Sequence, residues 1–249
     1  MKVKTILVSQ PEPKADQLSP FSILSTKQKV KVDFRSFIHV EGLTVREVRN
    51  QKIDLGKYSA IILTSRNAVD HFFRIAEEMR FKVPNELKYF CQSEAVAYYL
   101  QKYVVYRKRK IYVGKRTFPD LCEIIKKHKT ERFLLPSSDK LKDLIPESLD
   151  AMGLDWKRAD LYRTVTSDLS DLEKVTYDVL VFFSPSGIQS LFKNFPEFKQ
   201  NNTRIAVYGN STVKAATEAG LQVDVSAPSP ESPSMTMALE KYIKEVNKK

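Results

Sequence analysis

The sequence predicts an α/β protein built on mostly parallel sheet, and three observations predict it. Short apolar runs alternate with helical patterns along the whole chain. One strand–turn–helix shape, YSAIILTSRNAVDHFF at residues 58–73, returns as YDVLVFFSPSGIQSLF at residues 177–192. The segments around each copy also return in the same order, which one α/β unit resembling another by chance does not explain.

In chain order, Thr5–Ser9 and Val30–Phe34 are short runs rich in β-branched residues and read as strands. Ala60–Thr64 is a continuous apolar run, the mark of a strand buried on both faces. Ala68–Met79 follows with apolar positions three and four apart, the mark of a helix. The alternation continues as strand Lys88–Cys91 with helix Glu94–Lys102, strand Lys110–Val113 with helix Phe118–Lys127, and strand Arg132–Leu135 with helix Leu141–Met152. Trp156–Tyr162 reads as a further strand. Val179–Phe183 then leads to helix Gly187–Asn194, Arg204–Tyr208 to helix Thr212–Ala219, and Gln222–Ser226 to a closing helix Ser234–Val246.

The repeat reaches beyond its two best copies. ELKYFCQSEAVAYYLQKYVV follows the first and TRIAVYGNSTVKAATEAGLQV the second; aligning Cys91 with Gly209 sets Ser93 on Ser211 and Glu94 on Thr212. Upstream, KTILVSQPEPKADQLSPFSIL resembles ERFLLPSSDKLKDLIPESLDAMG, with Ser9 matching Ser137. With units C (1–38 and 130–163), A (58–80 and 177–195) and B (87–125 and 203–246), the chain reads C-A-B-C-A-B, which reads as duplication. Two contiguous domains, 1–125 and 126–249, satisfy that order. So does a discontinuous arrangement in which 58–163 closes one domain and the flanking pieces close the other. There FRSFIHVEGL (34–43) and ADLYRTVTSD (159–168), rich in β-branched and aromatic residues, would cross as a pair of extended linkers. The repeat leaves both arrangements open.

Composition narrows the classes. At 249 residues the chain can bury one large core or two smaller ones, and 42 % hydrophobic with 29 % charged residues is globular composition. No apolar run approaches the roughly 20 residues a bilayer span needs. The apolar run near the amino terminus is too short for a signal segment and reads as the first strand, so the expected location is the cytoplasm. Cys91 and Cys122 form no CxxC pair, and His39, His71 and His128 are scattered. No metal spacing exists, and these groups read as inert thiols and surface histidines. Neither GxGxxG nor GxxxxGK[ST] occurs. The net charge of +11 favours an anionic ligand. Lys102–Arg116 carries seven basic residues with Tyr103, Tyr106 and Tyr112, but no recognised nucleic-acid motif, so no nucleic-acid partner is expected.

Taken together, IILTSRNAV, LYRT, YDVLVFFSPSGIQSLF and IAVYGNSTVKAATEAGLQVDVSAPSPESPSMTMALEKYI resemble the uroporphyrinogen-III synthase family. The resemblance covers essentially the whole chain and is weakest over 10–50 and 100–130. It implies two flavodoxin-like α/β domains, 1–36 plus 168–249 and 42–161. They are joined by a two-stranded connector at 34–43 and 159–168, with the active site in the cleft between them. It also implies a monomer without cofactor or metal that acts on hydroxymethylbilane. The linear tetrapyrrole loses its hydroxyl, inverts ring D through a spiro intermediate and closes. A non-catalytic module of the same build, binding a tetrapyrrole or another polyanion, is the alternative reading.

Such a substrate carries eight carboxylates and also closes unaided to the wrong isomer, so the protein's task is to hold one pose. Serines and threonines between strand and helix suit that task, because first-turn N–H groups lack helical partners and the helix dipole favours anions. The candidates are Thr64, Ser65 and Asn67; Ser137 and Ser138; Ser184, Pro185, Ser186 and Gly187; and Gly209, Asn210, Ser211 and Thr212. Tyr162, in LYRT, matches the tyrosine of the family's connector and is expected to donate to the departing hydroxyl. Two departures stand out. The family's arginine after the first strand is absent from Ser9-Gln10-Pro11, and Cys91 and Glu94 stand where glycine and threonine are usual. Most anion contacts are therefore expected at the Ser184 and Thr212 turns.

Overall fold

The computed structural model describes residues 2–13, 19–141 and 143–248, so Lys142 of the expected helix 141–152 lies outside the described residues. The elements run β1 (Thr5–Val8), α1 (Pro20–Gln28), β2 (Lys31–Phe34), β3 (Ile38–Gly42), α2 (Val45–Asn50), β4 (Ala60–Leu63) and α3 (Arg66–Glu78). Next come β5 (Lys88–Cys91), α4 (Glu94–Leu100), β6 (Ile111–Val113), α5 (Phe118–Ile125), β7 (Arg132–Ser138), α6 (Leu144–Ala151) and β8 (Asp155–Thr166). The chain closes with β9 (Val179–Phe182), α7 (Pro185–Asn194), β10 (Arg204–Tyr208), α8 (Asn210–Glu218), β11 (Val223–Ala227) and α9 (Met235–Lys248). It divides into two compact units: Met1–His39 with Val165–Lys249, and Val40–Thr164.

The first unit holds a five-stranded sheet in the order β11-β10-β9-β1-β2, with every pair parallel. Numbered within the unit this is the doubly wound order 2-1-3-4-5, whose direction reverses between β1 and β9. Side chains alternate across the pleat. Ile6, Val8, Val179, Val181 and Ala206 pack with Leu24 of α1 and Leu239 and Ile243 of α9. Leu7, Leu180, Phe182, Ile205 and Val207 pack the other way, with Ile188 and Leu191 of α7 and Ala216 of α8. Both faces are covered, so the central strand β9 is apolar at every position, and its neighbours β1 and β10 at every position but the first.

Below the β1–β9 pair, Asp178 sets the register. Its carboxylate accepts from Lys4 N (2.8 Å), Thr5 N (2.9 Å) and Thr5 Oγ1 (3.1 Å). Burial pushes its pKa up, but these donors outweigh burial and hold it below the ordinary aspartate value.

The second unit holds the order β3-β8-β7-β4-β5-β6, parallel from β8 to β6. Without β3, its order β8-β7-β4-β5-β6 follows β2-β1-β9-β10-β11 of the first unit strand for strand. Ile61 and Leu63 pack with Phe72 and Ile75 of α3 and Leu100 of α4. Ala60, Ile62, Phe90 and Phe133 face the other way, onto Leu121 and Ile125 of α5 and Leu149 of α6. Its reversal of direction falls between β7 and β4.

Several elements differ from the sequence expectation, for local reasons. α1 has no apolar period to reveal it, because only Leu24 is buried along it; it is started by Ser19, which accepts from Phe21 N at 3.2 Å, and by Pro20 in its first turn. α2 has six residues and rests on a capping box between Thr44 and Glu47. Residues 38–42, expected as an extended segment of the two-stranded connector, form strand β3 beside β8, and Leu43 N donates to Leu161 O at 2.9 Å. Helices α3, α7 and α8 start at Arg66, Pro185 and Asn210, ahead of the first apolar residue, because the cap begins the helix.

Asp178→Ala removes a charged acceptor from three donors at the foot of the central strand pair. It is expected to cost about 1–3 kcal/mol in urea unfolding. Because the folded pKa is depressed, the contribution is full above the unfolded value and is lost as pH falls through the folded one. The stability gap between wild type and Asp178→Ala therefore narrows in acid.

Candidate active site at the carboxyl ends of the strands

The two turns that opened the sequence argument are built alike. Ser65 caps α3 with φ −156° and ψ 166°, and its Oγ accepts from Ala68 N at 3.1 Å. Ser184 caps α7 with φ −156° and ψ 154°, and its Oγ accepts from Gly187 N at 3.3 Å. Each cap uses one donor of the first turn; helix geometry leaves the N–H groups before it without helical partners. In α3 those belong to Arg66 and Asn67, both exposed. In α7 the first residue is Pro185, which has no N–H, so Ser186 supplies the donor there. Gly187 is taken up by the turn itself. It is buried, its N–H returns to Ser184, and an added Cβ would lie 3.3 Å from Phe182 Cδ1. Thr64, half-buried, is the residue between β4 and its cap.

The third turn has no side-chain cap. Gly209 precedes α8 at φ +87°, and Thr212 N and Val213 N both donate to its carbonyl. Nothing lies within 4 Å of where its Cβ would be, so glycine is needed for backbone conformation alone. Asn210 and Ser211 are exposed, whereas Thr212 is 1 % exposed, which corrects its placement among the anion contacts. The alignment of Cys91 with Gly209 also needs correction. Cys91 is the last residue of β5, fully buried, with burial pushing its thiol up to about 12. The residue that stands where Gly209 stands is Ser93, the cap of α4.

Ser137 and Ser138 do not start a helix. Both belong to β7, and α6 begins only at Leu144 behind Asp143, which makes no side-chain cap bond. Ser137 is 1 % exposed; its Oγ donates to Asp160 Oδ1 (3.0 Å) and accepts from Arg158 Nε (3.0 Å). Ser138, half-buried, donates to Lys140 O at 3.0 Å. The strand continues past the expected end at Leu135 because it pairs with β8 as far as Ser138.

Tyr162 is 8 % exposed and sits on β8 within the core of the second unit. Its hydroxyl lies 3.2 Å from Ser65 Oγ, which brings the candidate donor to the start of α3. Its ring stacks on His71, with centroids 4.9 Å apart and planes at 18°. Burial raises the phenol pKa, partly offset by Ser65, so the group keeps its proton at neutral pH and donates. His71, read from sequence as a surface histidine, is instead half-buried; Arg74 Nε donates to its Nδ1 at 3.2 Å. The signal for this pair was their spacing of three on one helix face. Arg163 is engaged by Glu41 (3.1 Å) and Glu47 (3.0 Å) of its own chain, and Arg66 lies over the Tyr99 ring at 5.4 Å.

Fold and turns define a class: a two-unit doubly wound α/β protein with several capped helix starts at the carboxyl edges of its sheets. The family described as uroporphyrinogen-III synthase HemD matches residues 24–237. The chain belongs to the uroporphyrinogen-III synthase family. It is accordingly a cyclising lyase of tetrapyrrole biosynthesis, which favours the enzyme over the non-catalytic module that the sequence left open. The fold is similar to that of uroporphyrinogen-III synthetase from Helicobacter pylori 26695, with 18 % identity and TM-score 0.61 over 97 % of this chain and 99 % of that one. It is also similar to a mutant uroporphyrinogen III synthase from the extremely thermophilic bacterium Thermus thermophilus, with 14 % identity and TM-score 0.54 over 99 % of this chain and 100 % of that one. No curated protein matches the sequence. Among the described residues, no helix is long and apolar enough to cross a membrane.

Gly209→Ala is expected to cost about 1–2 kcal/mol, since it forces a side chain into the left-handed region without filling or creating a void. Ser65→Ala is expected to cost about 0.5–2 kcal/mol through loss of the cap. Chemical denaturation measures both.

Proposed function

We propose that the chain cyclises hydroxymethylbilane to uroporphyrinogen III with inversion of ring D and loss of water. The candidate seats for substrate carboxylates are, in the second unit, the first turn of α3 at Arg66 and Asn67, and in the first unit, the first turns of α7 at Ser186 and of α8 at Asn210 and Ser211. One observation carries the assignment. The capped turns of α3 and α7 leave β4 and β9, the strands that flank the reversal of strand order in each sheet, where doubly wound proteins collect ligands. Ser138, at the end of the neighbouring β7, belongs to the same edge, whereas buried Gly187 and Thr212 shape the turns and buried Ser137 ties β7 to β8.

In this reading Tyr162 donates its O–H to the departing hydroxyl of the bilane, with Ser65 holding the phenol between turnovers. Departure of water leaves an electron-poor pyrrole system that the seated carboxylates keep in one folded pose. Orientation of this kind is worth up to about 7–11 kcal/mol in ideal intramolecular cases. The protein acts as a cytoplasmic monomer without a nucleic-acid partner. In support, Tyr103 and Tyr112 of the basic stretch each give one ring face to the chain itself, stacked on Phe73 and Phe90.

Hydroxymethylbilane generated in situ, followed by oxidation and separation of the porphyrin isomers, tests the activity. Isomer III is expected in excess of the protein-free blank; isomer I alone would overturn the reading. Tyr162→Phe is expected to lower kcat about 10²-fold or more while the protein stays folded. Ser184→Asp keeps a good cap but puts a negative charge at the α7 seat. It is expected to raise KM at least about tenfold with stability within about 1 kcal/mol of wild type.

A further inference from the structure

Arg74 lies on α3, and every nitrogen of its guanidinium has a partner. Nε donates to His71 Nδ1 (3.2 Å) and Nη1 to Glu78 Oε1 (2.8 Å). Nη2 donates to Leu43 O (2.8 Å) and to Leu161 O (3.2 Å). Leu161 is the residue before Tyr162, and His71 is the ring stacked on Tyr162. One side chain therefore holds both the backbone that enters Tyr162 and the surface on which its ring lies. Because Nδ1 accepts, the neutral imidazole carries its proton on Nε2; burial, then the Arg74 charge, push the His71 pKa down.

A second observation points to the same side chain. A Cβ on Gly42 would fall 2.7 Å from Arg74 Nη2 and 2.8 Å from its Cζ. Gly42 lets the guanidinium lie flat on the strand end and reach two carbonyls at once, a fork that lysine cannot reproduce. The ion pair with Glu78 is 30 % exposed on the arginine side and 41 % on the glutamate side, and contributes little by itself. The grip on the two carbonyls and the imidazole is what distinguishes this arginine.

We propose that Arg74 is a positioning residue of the synthase reaction: through Leu161 and His71 it fixes the direction of the Tyr162 hydroxyl. This rests on the reading of Tyr162 as the proton donor. A donor that swings by an ångström no longer meets the leaving hydroxyl, although the anion seats at the helix starts are untouched. Loss of the grip should therefore appear in kcat and leave KM nearly as it was.

The test is a double-mutant cycle. Arg74→Ala and Gly42→Ala are made in the wild type and in Tyr162→Phe, and kcat, KM and the isomer III fraction are measured on the full chain. Each is expected to lower kcat about 10–100-fold in the wild type with KM within about twofold. In Tyr162→Phe neither is expected to lower it further. Equal losses in both backgrounds would overturn the proposal while leaving Tyr162 as donor; so would unchanged kcat in a folded Gly42→Ala, the variant to use if Arg74→Ala does not fold. Full turnover in Tyr162→Phe alone would overturn the donor reading and the proposal with it.

Discussion

A parallel strand covered by helices on both faces has polar groups to spare only where it ends, and the rest of this protein depends on that constraint. Ile6 and Leu7, or Ile61 and Ile62, pack in opposite directions within one strand, so neither sheet has a wet face on which to build a site. The chain must leave each strand and start a helix at once, and the start of a helix exposes backbone donors with a positive dipole behind them. Donors suited to anions are thus a by-product of how the sheet terminates, with a serine satisfying part of the turn. Such a turn can meet a carboxylate without a cluster of lysines.

The seats are unequal. At α3 the Ser65 Oγ meets both Ala68 N and the Tyr162 phenol. At α7 the leading proline removes one backbone donor and leaves Ser186 as the available one. At α8 the turn relies on the left-handed Gly209 and presents Asn210 and Ser211. In the proposed reading the donor Tyr162 belongs to the second unit, and each unit has its own candidate seats.

Much of the fold was legible because buried parallel strands announce themselves as unbroken apolar runs, as at Ala60–Leu63 and Val179–Phe182. Cap serines were legible too, since Ser65 and Ser184 stand directly after such runs. What failed had no apolar period to read. α1 buries one leucine, and α2 is a capping box with little helix behind it. The Ser137 reading failed because a serine after an apolar run looks the same whether it caps a helix or continues a strand. Only Arg158 and Asp160 on the adjacent strand decide between them. Arg74 was invisible for a related reason. Its partners are main-chain oxygens, and main-chain oxygens have no signature in a sequence.

The pairing of β1 also has a bearing on synthesis. β1 and β2 are among the earliest segments made, yet β1 is completed by β9, and its foot is tied to Asp178. All strands of the second unit, from β3 to β8, lie between those two moments. A ribosome therefore releases a continuous inner unit while two orphan strands of the outer one wait with an apolar face and an unpaired edge. β1 meets β2 at once but must wait for β9, and the interval in which its free edge is vulnerable to chaperone capture or aggregation is set by the length of the insert.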